Sequence, residues 1–223
     1  MSDSKGSTVG EGVGFYWKYE ELIRKSEARL GSVIGATGAI YAIRRKLWAP
    51  VPPETILDDV YTPMRIAMQG YRVIFEEKAL AHDVMAKSAS REFSRKARTL
   101  MGNYQLCQLM PRLILPTNPL LLQFFSHKLM RLVAPMFMVT LFVANVMLAT
   151  QATFTVEAFF YQVVFTGQMS FYLSVLLGWL LSKSNRKVRL FNVAYVFSVM
   201  NAAALVGLFY FLFGKRNVWV RSE

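Results

Sequence analysis

The sequence is poor in the residues that usually build chemistry from local motifs. It holds a single cysteine, Cys107, which excludes an internal disulfide framework and a cysteine-based metal cluster. A lone thiol of this kind reads as a small apolar residue. Only two histidines occur, His82 and His127, so no Ser-His-Asp or Cys-His set is legible. His82-Asp83 reads as a structural pair more readily than as a proton relay or metal site. No Gly-Lys-Ser/Thr follows a glycine-rich loop and no GxGxxG occurs, which removes the two commonest phosphate-cradling motifs. The polar start of the chain has no positive region ahead of an apolar run, so no signal peptide is expected. Acid is scarce as well, with 14 Asp and Glu against 26 Lys and Arg and a net charge of +12.

Such an excess of positive charge suits nucleic acid, anionic lipid or a phosphorylated substrate. Its distribution disfavours nucleic acid, because the second half of the chain is built for lipid. Hydrophobic residues make up 54% of the chain, above the ~45–50% of an ordinary soluble domain. The surplus is concentrated in three runs without charge, 132–156, 158–182 and 190–214. Each exceeds the ~20 residues needed to cross a hydrocarbon core of roughly 30 Å. Spans are expected at about 132–152, 158–182 and 190–214, followed by a basic tail over 215–223. Residues 111–131, with the amphipathic string PLLLQFFSHKLMR, are too short to span and are expected to lie in the interface plane.

Flanking charge orients these spans. Arg112, Lys128 and Arg131 precede the first, and Lys183, Arg186, Lys187 and Arg189 sit between the second and third. The positive-inside tendency places 1–131 and 183–189 in the cytoplasm. Three crossings would then export a tail that carries Lys215, Arg216 and Arg221. Either one hydrophobic run fails to cross, or the short tail departs from the tendency.

The first half mixes charged and apolar residues. Residues 1–12 read as a flexible leader. In 15–30, Tyr16, Tyr19, Ile23 and Leu30 share one side of an amphipathic helix. SVIGATGAIYAIR (32–44) reads as a small-residue loop entering an alternating strand, and the prolines at 50, 52 and 53 mark a loop. Thr62-Pro63 suits a helix start, with Gly70 as its stop. YRVIF (71–75) reads as a short strand. Residues 88–110 read as a second amphipathic helix, lined by Phe93, Ala97, Leu100, Tyr104 and Cys107. Strands alternating with helices predict an α/β domain over 13–110.

Three groups in that domain carry candidate chemistry. Asp58 and Asp59 are adjacent carboxylates at a loop-to-helix junction. One of them can serve as a general base, or both can serve as ordinary helix-start residues. Arg91, Arg95 and Arg98 share a helical face with Lys87 and Lys96 nearby. Their guanidinium forks suit phosphate oxygens, and they equally suit anionic headgroups. Gly35-Ala36-Thr37-Gly38 allows close backbone approach to a ligand, or a simple turn.

Taken in order, SVIGATGAIYAIRRKLW, TILDDVYTPMRIAMQGYRVIF, EFSRKARTLMGNYQ and the hydrophobic runs resemble the family 2 glycosyltransferases of bacterial polysaccharide synthesis. The resemblance extends from about Gly12 to the last run. It implies a partial GT-A α/β domain on the cytoplasmic side of the bacterial inner membrane. The implied activity is inverting transfer of a sugar from a nucleotide donor, UDP-linked, to a glycan or lipid-linked acceptor. By this resemblance Asp59 is the catalytic base, Asp58 the acidic residue before it, and Gly35, Ala36, Thr37 and Gly38 line the acceptor site. Arg95 and Arg98 stand where the family's QxxRW motif meets the donor pyrophosphate. Arg95 replaces the Gln and Thr99 the Trp, which bears on processivity. The family also implies Mg or Mn held by a DxD motif, and no DxD triplet occurs. The chain therefore reads as the C-terminal part of such an enzyme, with the donor-binding half expected outside it. The other reading is a non-catalytic anchor or conduit subunit.

Overall fold

The computed structural model describes residues 8–79, 81, 89–151, 156–184 and 188–214. Its longer helices are α1 (Thr8–Leu30), α2 (Asp58–Ala67), α3 (Ala89–Leu109), the short α4 (Leu121–Phe124), α5 (Met130–Gln151), α6 (Val156–Lys183) and α7 (Arg189–Leu212). Short 3-10 turns occupy Arg45–Leu47 and Pro111–Ile114, and a π turn, Phe125–Leu129, joins α4 to α5.

Among the described residues the fold is helical, with no strand and no sheet, so the expected α/β domain is corrected. The start of the small-residue loop and the stretch read as a short strand do approach each other. Val33 N–H donates to the Val73 carbonyl at 2.9 Å, the start of a ladder. The Val73 amide is then taken at 2.9 Å by the Ser32 hydroxyl, which closes the ladder after one bond. The alternating segment after Gly38 has only the isolated Thr37–Ile40 bridge and leaves Ile40 and Tyr41 in solvent. Alternation supplies a face, yet a strand also needs a neighbour to satisfy its backbone.

Helix α1 begins at Thr8, inside the stretch expected to be a flexible leader. Of the side expected to be apolar, Ile23 is half-buried while Tyr19 and Leu30 are not. Tyr19, Leu22 and Leu30 are exposed, whereas Glu20 and Glu27 are buried. The cause lies across the interface, where the π turn and the start of α5 present His127 and Arg131 to those carboxylates. The last part of the 111–131 segment, from Leu121, is continuous with the first apolar helix. A break between Leu121 and Thr150 is absent, and this whole stretch is long and apolar enough to cross a membrane, as are Val156–Lys183 and Arg189–Leu212.

One core packs Ile34, Leu57, Val60, Met64 and Leu106 against Leu113, Leu120 and Phe124. A second joins Ala97 and Leu100 of α3 to Ala203 and Ala204 of α7, with Leu132 of α5. Small residues let α3 and α7 approach closely. A Cβ on Gly207 would lie 2.8 Å from the Ala97 carbonyl oxygen and 2.9 Å from the Met101 nitrogen. Tyr104 of α3 touches two helix ends at once. Its hydroxyl donates to the Leu132 carbonyl near the start of α5, 3.4 Å away. Its ring stacks on Phe211 near the end of α7, with centroids 5.7 Å apart. Between α5 and α6 the side-chain amides of Asn145 and Gln168 meet at 2.9 Å, and Gly178 of α6 sits against the backbone of Phe191 in α7.

Candidate functional site

Helix α2 starts at Asp58, earlier than Thr62-Pro63 suggested, and carries Pro63 in its interior. Proline has no amide hydrogen, so the carbonyl four residues before it loses its helical partner. That carbonyl belongs to Asp59. It accepts the Ala36 N–H instead, at 2.7 Å. The missing hydrogen of Pro63 thus fastens the small-residue loop to the first turn of α2. Small residues suit both sides of this contact. A Cβ on Gly35 would lie 3.1 Å from Val60 Cγ2, and one on Gly38 would lie 3.3 Å from Asp59 Oδ2. Thr37 turns away and donates its hydroxyl to the Ile40 carbonyl at 3.3 Å.

The structure therefore brings Asp59 together with Gly35, Ala36 and Gly38. Asp58 is exposed, while Asp59 is half-buried. Burial pushes the Asp59 carboxyl above its usual value. The positive charge of Lys128 opposes the shift, the neighbouring Asp58 reinforces it, and Arg24 opposes it. Arg24 reaches the site from α1. Its Nη1 donates to the Gly35 carbonyl at 2.8 Å, and Nη2 pairs with Glu20 at 3.5 Å.

Arg95 and Arg98 both lie on α3. The Arg95 guanidinium makes a two-pronged pair with Glu92 of its own helix, Nε to Oε2 and Nη2 to Oε1 both at 3.0 Å. Arg98 is half-buried on the same helix. The charges that weigh most on Asp59 come from Lys128, Asp58 and Arg24. The cations at the carboxylate are thus supplied by α1 and the π turn. Lys96 stands beside Glu92 at 3.9 Å. Burial holds its ammonium below the usual lysine range; Glu92 opposes this, and Arg95 and Arg131 add to it. The side chains of Lys87 and Arg91, and the pair His82-Asp83, lie outside the described residues.

Behind the site is a buried charge cluster. His127 Nδ1 meets Glu27 Oε1 at 2.8 Å and Nε2 meets Glu20 Oε1 at 3.1 Å. Two carboxylate acceptors require two N–H donors, which only the imidazolium form provides. Burial works against the charge of Glu20. The His127 hydrogen bond, with the charges of His127, Lys128 and Arg131, outweighs it and holds this carboxyl well below the usual range. Arg131 stands 3.7 Å from the other Glu20 oxygen. This cluster holds Arg24, whose guanidinium pairs with Glu20 and reaches the loop at Gly35.

Sequence reasoning missed Arg24, Lys128, Glu20 and His127 as parts of one arrangement. A signal existed, since Glu20, Arg24 and Glu27 fall on one helical face and His127 and Arg131 on another. Nothing local paired the two faces. Among the described residues no group of three His, Cys, Asp or Glu is arranged to hold a metal ion, and Asp58 and Asp59 alone make a poor cage for Mg or Mn. No protein family, curated protein or solved structure matches this chain.

Proposed function

We propose that this chain contributes the acceptor-activating part of a membrane-bound sugar transferase. Asp59 is the base, and its carboxylate takes the proton of an acceptor hydroxyl. The freed oxygen then attacks the anomeric carbon of a nucleotide sugar. The bond from that carbon to the diphosphate breaks, the nucleoside diphosphate leaves with the bonding pair, and the anomeric configuration inverts. The acceptor is a glycan or a lipid-linked sugar, and the donor is UDP-linked by the family resemblance. Lys128 and Arg24 keep the Asp59 carboxylate charged in a partly desolvated position.

The observation that supports this reading best is the packing of Asp59 against the small-residue loop, with Gly38 beside its Oδ2 and the Ala36 amide on its carbonyl. A base needs an approach for its substrate, and a Cβ at position 38 would crowd Oδ2. The part assigned to this chain is proton transfer at Asp59, supported by the charges of Lys128 and Arg24.

A second reading, a non-catalytic anchor or conduit subunit, draws on Arg95. Its guanidinium is occupied by Glu92, where a donor-binding group would be open to diphosphate. Asp59→Asn separates the two readings when tested in membranes that contain the complete transfer machinery. Under the first, transfer falls by roughly 10²–10⁴-fold, the usual worth of a general base, while membrane insertion is unchanged. Transfer at the original rate would leave the anchor reading standing.

A further inference from the structure

We infer that the loop spanning residues 40–51 is a docking patch for an anionic bilayer surface, independent of what Asp59 does. Arg44, Arg45 and Lys46 are consecutive and exposed. Among the described residues none of the three makes an ion pair or a side-chain hydrogen bond. Around them stand four large apolar side chains in solvent: Ile40 at 58%, Tyr41 at 43%, Trp48 at 64% and Val51 at 37% exposure. An aromatic ring of that size seldom stays in water when it has a choice. Aromatic rings with lysine and arginine beside them are the usual composition of a membrane–water interface.

The patch is also held in shape. Arg65 of α2 donates to the Ala49 carbonyl at 3.2 Å and to Leu47 and Pro50 at 3.5 Å. The Arg45–Leu47 turn is closed by Leu47 N–H to Arg44 O at 2.8 Å and Trp48 N–H to Arg45 O at 3.1 Å. The prolines at 50, 52 and 53 stiffen the C-terminal side of the loop. A preformed patch loses little freedom on docking.

Charge and the rest of the chain select the occupant. Three adjacent cations favour an anionic surface. The same chain carries three helices long and apolar enough to cross a membrane, so its helical domain is tethered beside a bilayer. Tethering raises the effective concentration of that surface far above what a soluble partner reaches. A basic patch with exposed aromatics also suits nucleic acid, and an acidic protein is a further candidate, yet neither is held in place by the chain itself.

The test uses the whole chain reconstituted into vesicles, with Trp17→Phe, Trp179→Phe and Trp219→Phe leaving Trp48 as the only tryptophan. Vesicles contain phosphatidylcholine alone or mixed with phosphatidylglycerol, each with brominated acyl chains. The expected result is a roughly twofold loss of Trp48 emission in the anionic vesicles, relieved at high salt because surface attraction is screened. Combined Arg44→Gln, Arg45→Gln and Lys46→Gln should relieve it equally, with circular dichroism confirming intact helices. The salt series needs no variant and stands even if the triple substitution misfolds. The inference is overturned if Trp48 is unquenched in both vesicle types. Quenching of equal depth in neutral and anionic vesicles, insensitive to salt, overturns it too.

Discussion

Glu20 is a carboxylate inside a protein, with His127 on one oxygen and Arg24 and Arg131 close by. Removing one partner of a buried ion pair leaves the others uncompensated, at a cost of about 3–5 kcal/mol. Glu20→Gln should therefore lower the thermal stability of the chain in detergent and loosen amide protection along α1. The pH dependence comes from the direction of the shift. The folded carboxyl sits below its ordinary value of 4.5, so its contribution is present above that value and is lost as pH falls through the folded pKa. The substituted chain should lack this acid-side loss, and an unchanged acid profile would count against the role given to Glu20. Asp59 behaves in the opposite sense. Its carboxyl is raised above 3.8, and a base works only when deprotonated, so transfer should rise with pH through that raised value. Lys128→Gln removes a charge that opposes the shift and should move the acid limb of kcat/KM to higher pH. A limb that does not move would mean that Lys128 is too remote to matter.

At the level of elements, α3 and α7 form the seam with the least tolerance. Gly207→Val would put atoms where Ala97 O and Met101 N already lie. Backbone cannot move aside as a side-chain tip can, so a loss of about 1–3 kcal/mol is expected, read as a lower melting temperature in micelles. Ala203 and Ala204 are fully buried in the same seam and should respond similarly to leucine. Helix α3 was legible because its apolar positions recur at three and four residues, and its limits fall within a residue of those expected. The three apolar helices were legible because charge is missing from them. Three other features were hidden, each for a physical reason. The alternating residues after Gly38 carry a strand's pattern, but whether a partner strand exists is decided elsewhere in the fold. The buried side of α1 is set by His127, about a hundred positions away, and apolar periodicity does not reveal that Glu20 and Glu27 lie on it. The early start of α2 depends on Ala36 taking the role that the Pro63 amide cannot fill. The carboxylate and glycines of the candidate site were visible as a motif. Its cations were not, because Arg24 and Lys128 look like ordinary surface and membrane-flanking charges.

At the scale of the whole molecule, Tyr104 holds the start of α5 and the end of α7 within reach of one side chain. An odd number of complete traversals would leave those two ends on opposite faces of the bilayer. The helix that unites them, α3, carries Arg95, Lys96 and Arg98 and cannot sink into hydrocarbon. The expected arrangement that keeps both ends on the face of α3 is that α5 and α6 cross while α7 stays level with α3 or turns back. The 183–189 connection and the terminal residues should therefore share a face with the helical domain, which gathers every basic cluster on one side. With Cys107→Ser as background, Ser184→Cys and Ser222→Cys in sealed, oriented vesicles should react alike with an impermeant maleimide. Labelling of one and protection of the other would mean three full passages, and the Tyr104 clasp would have to open in the bilayer.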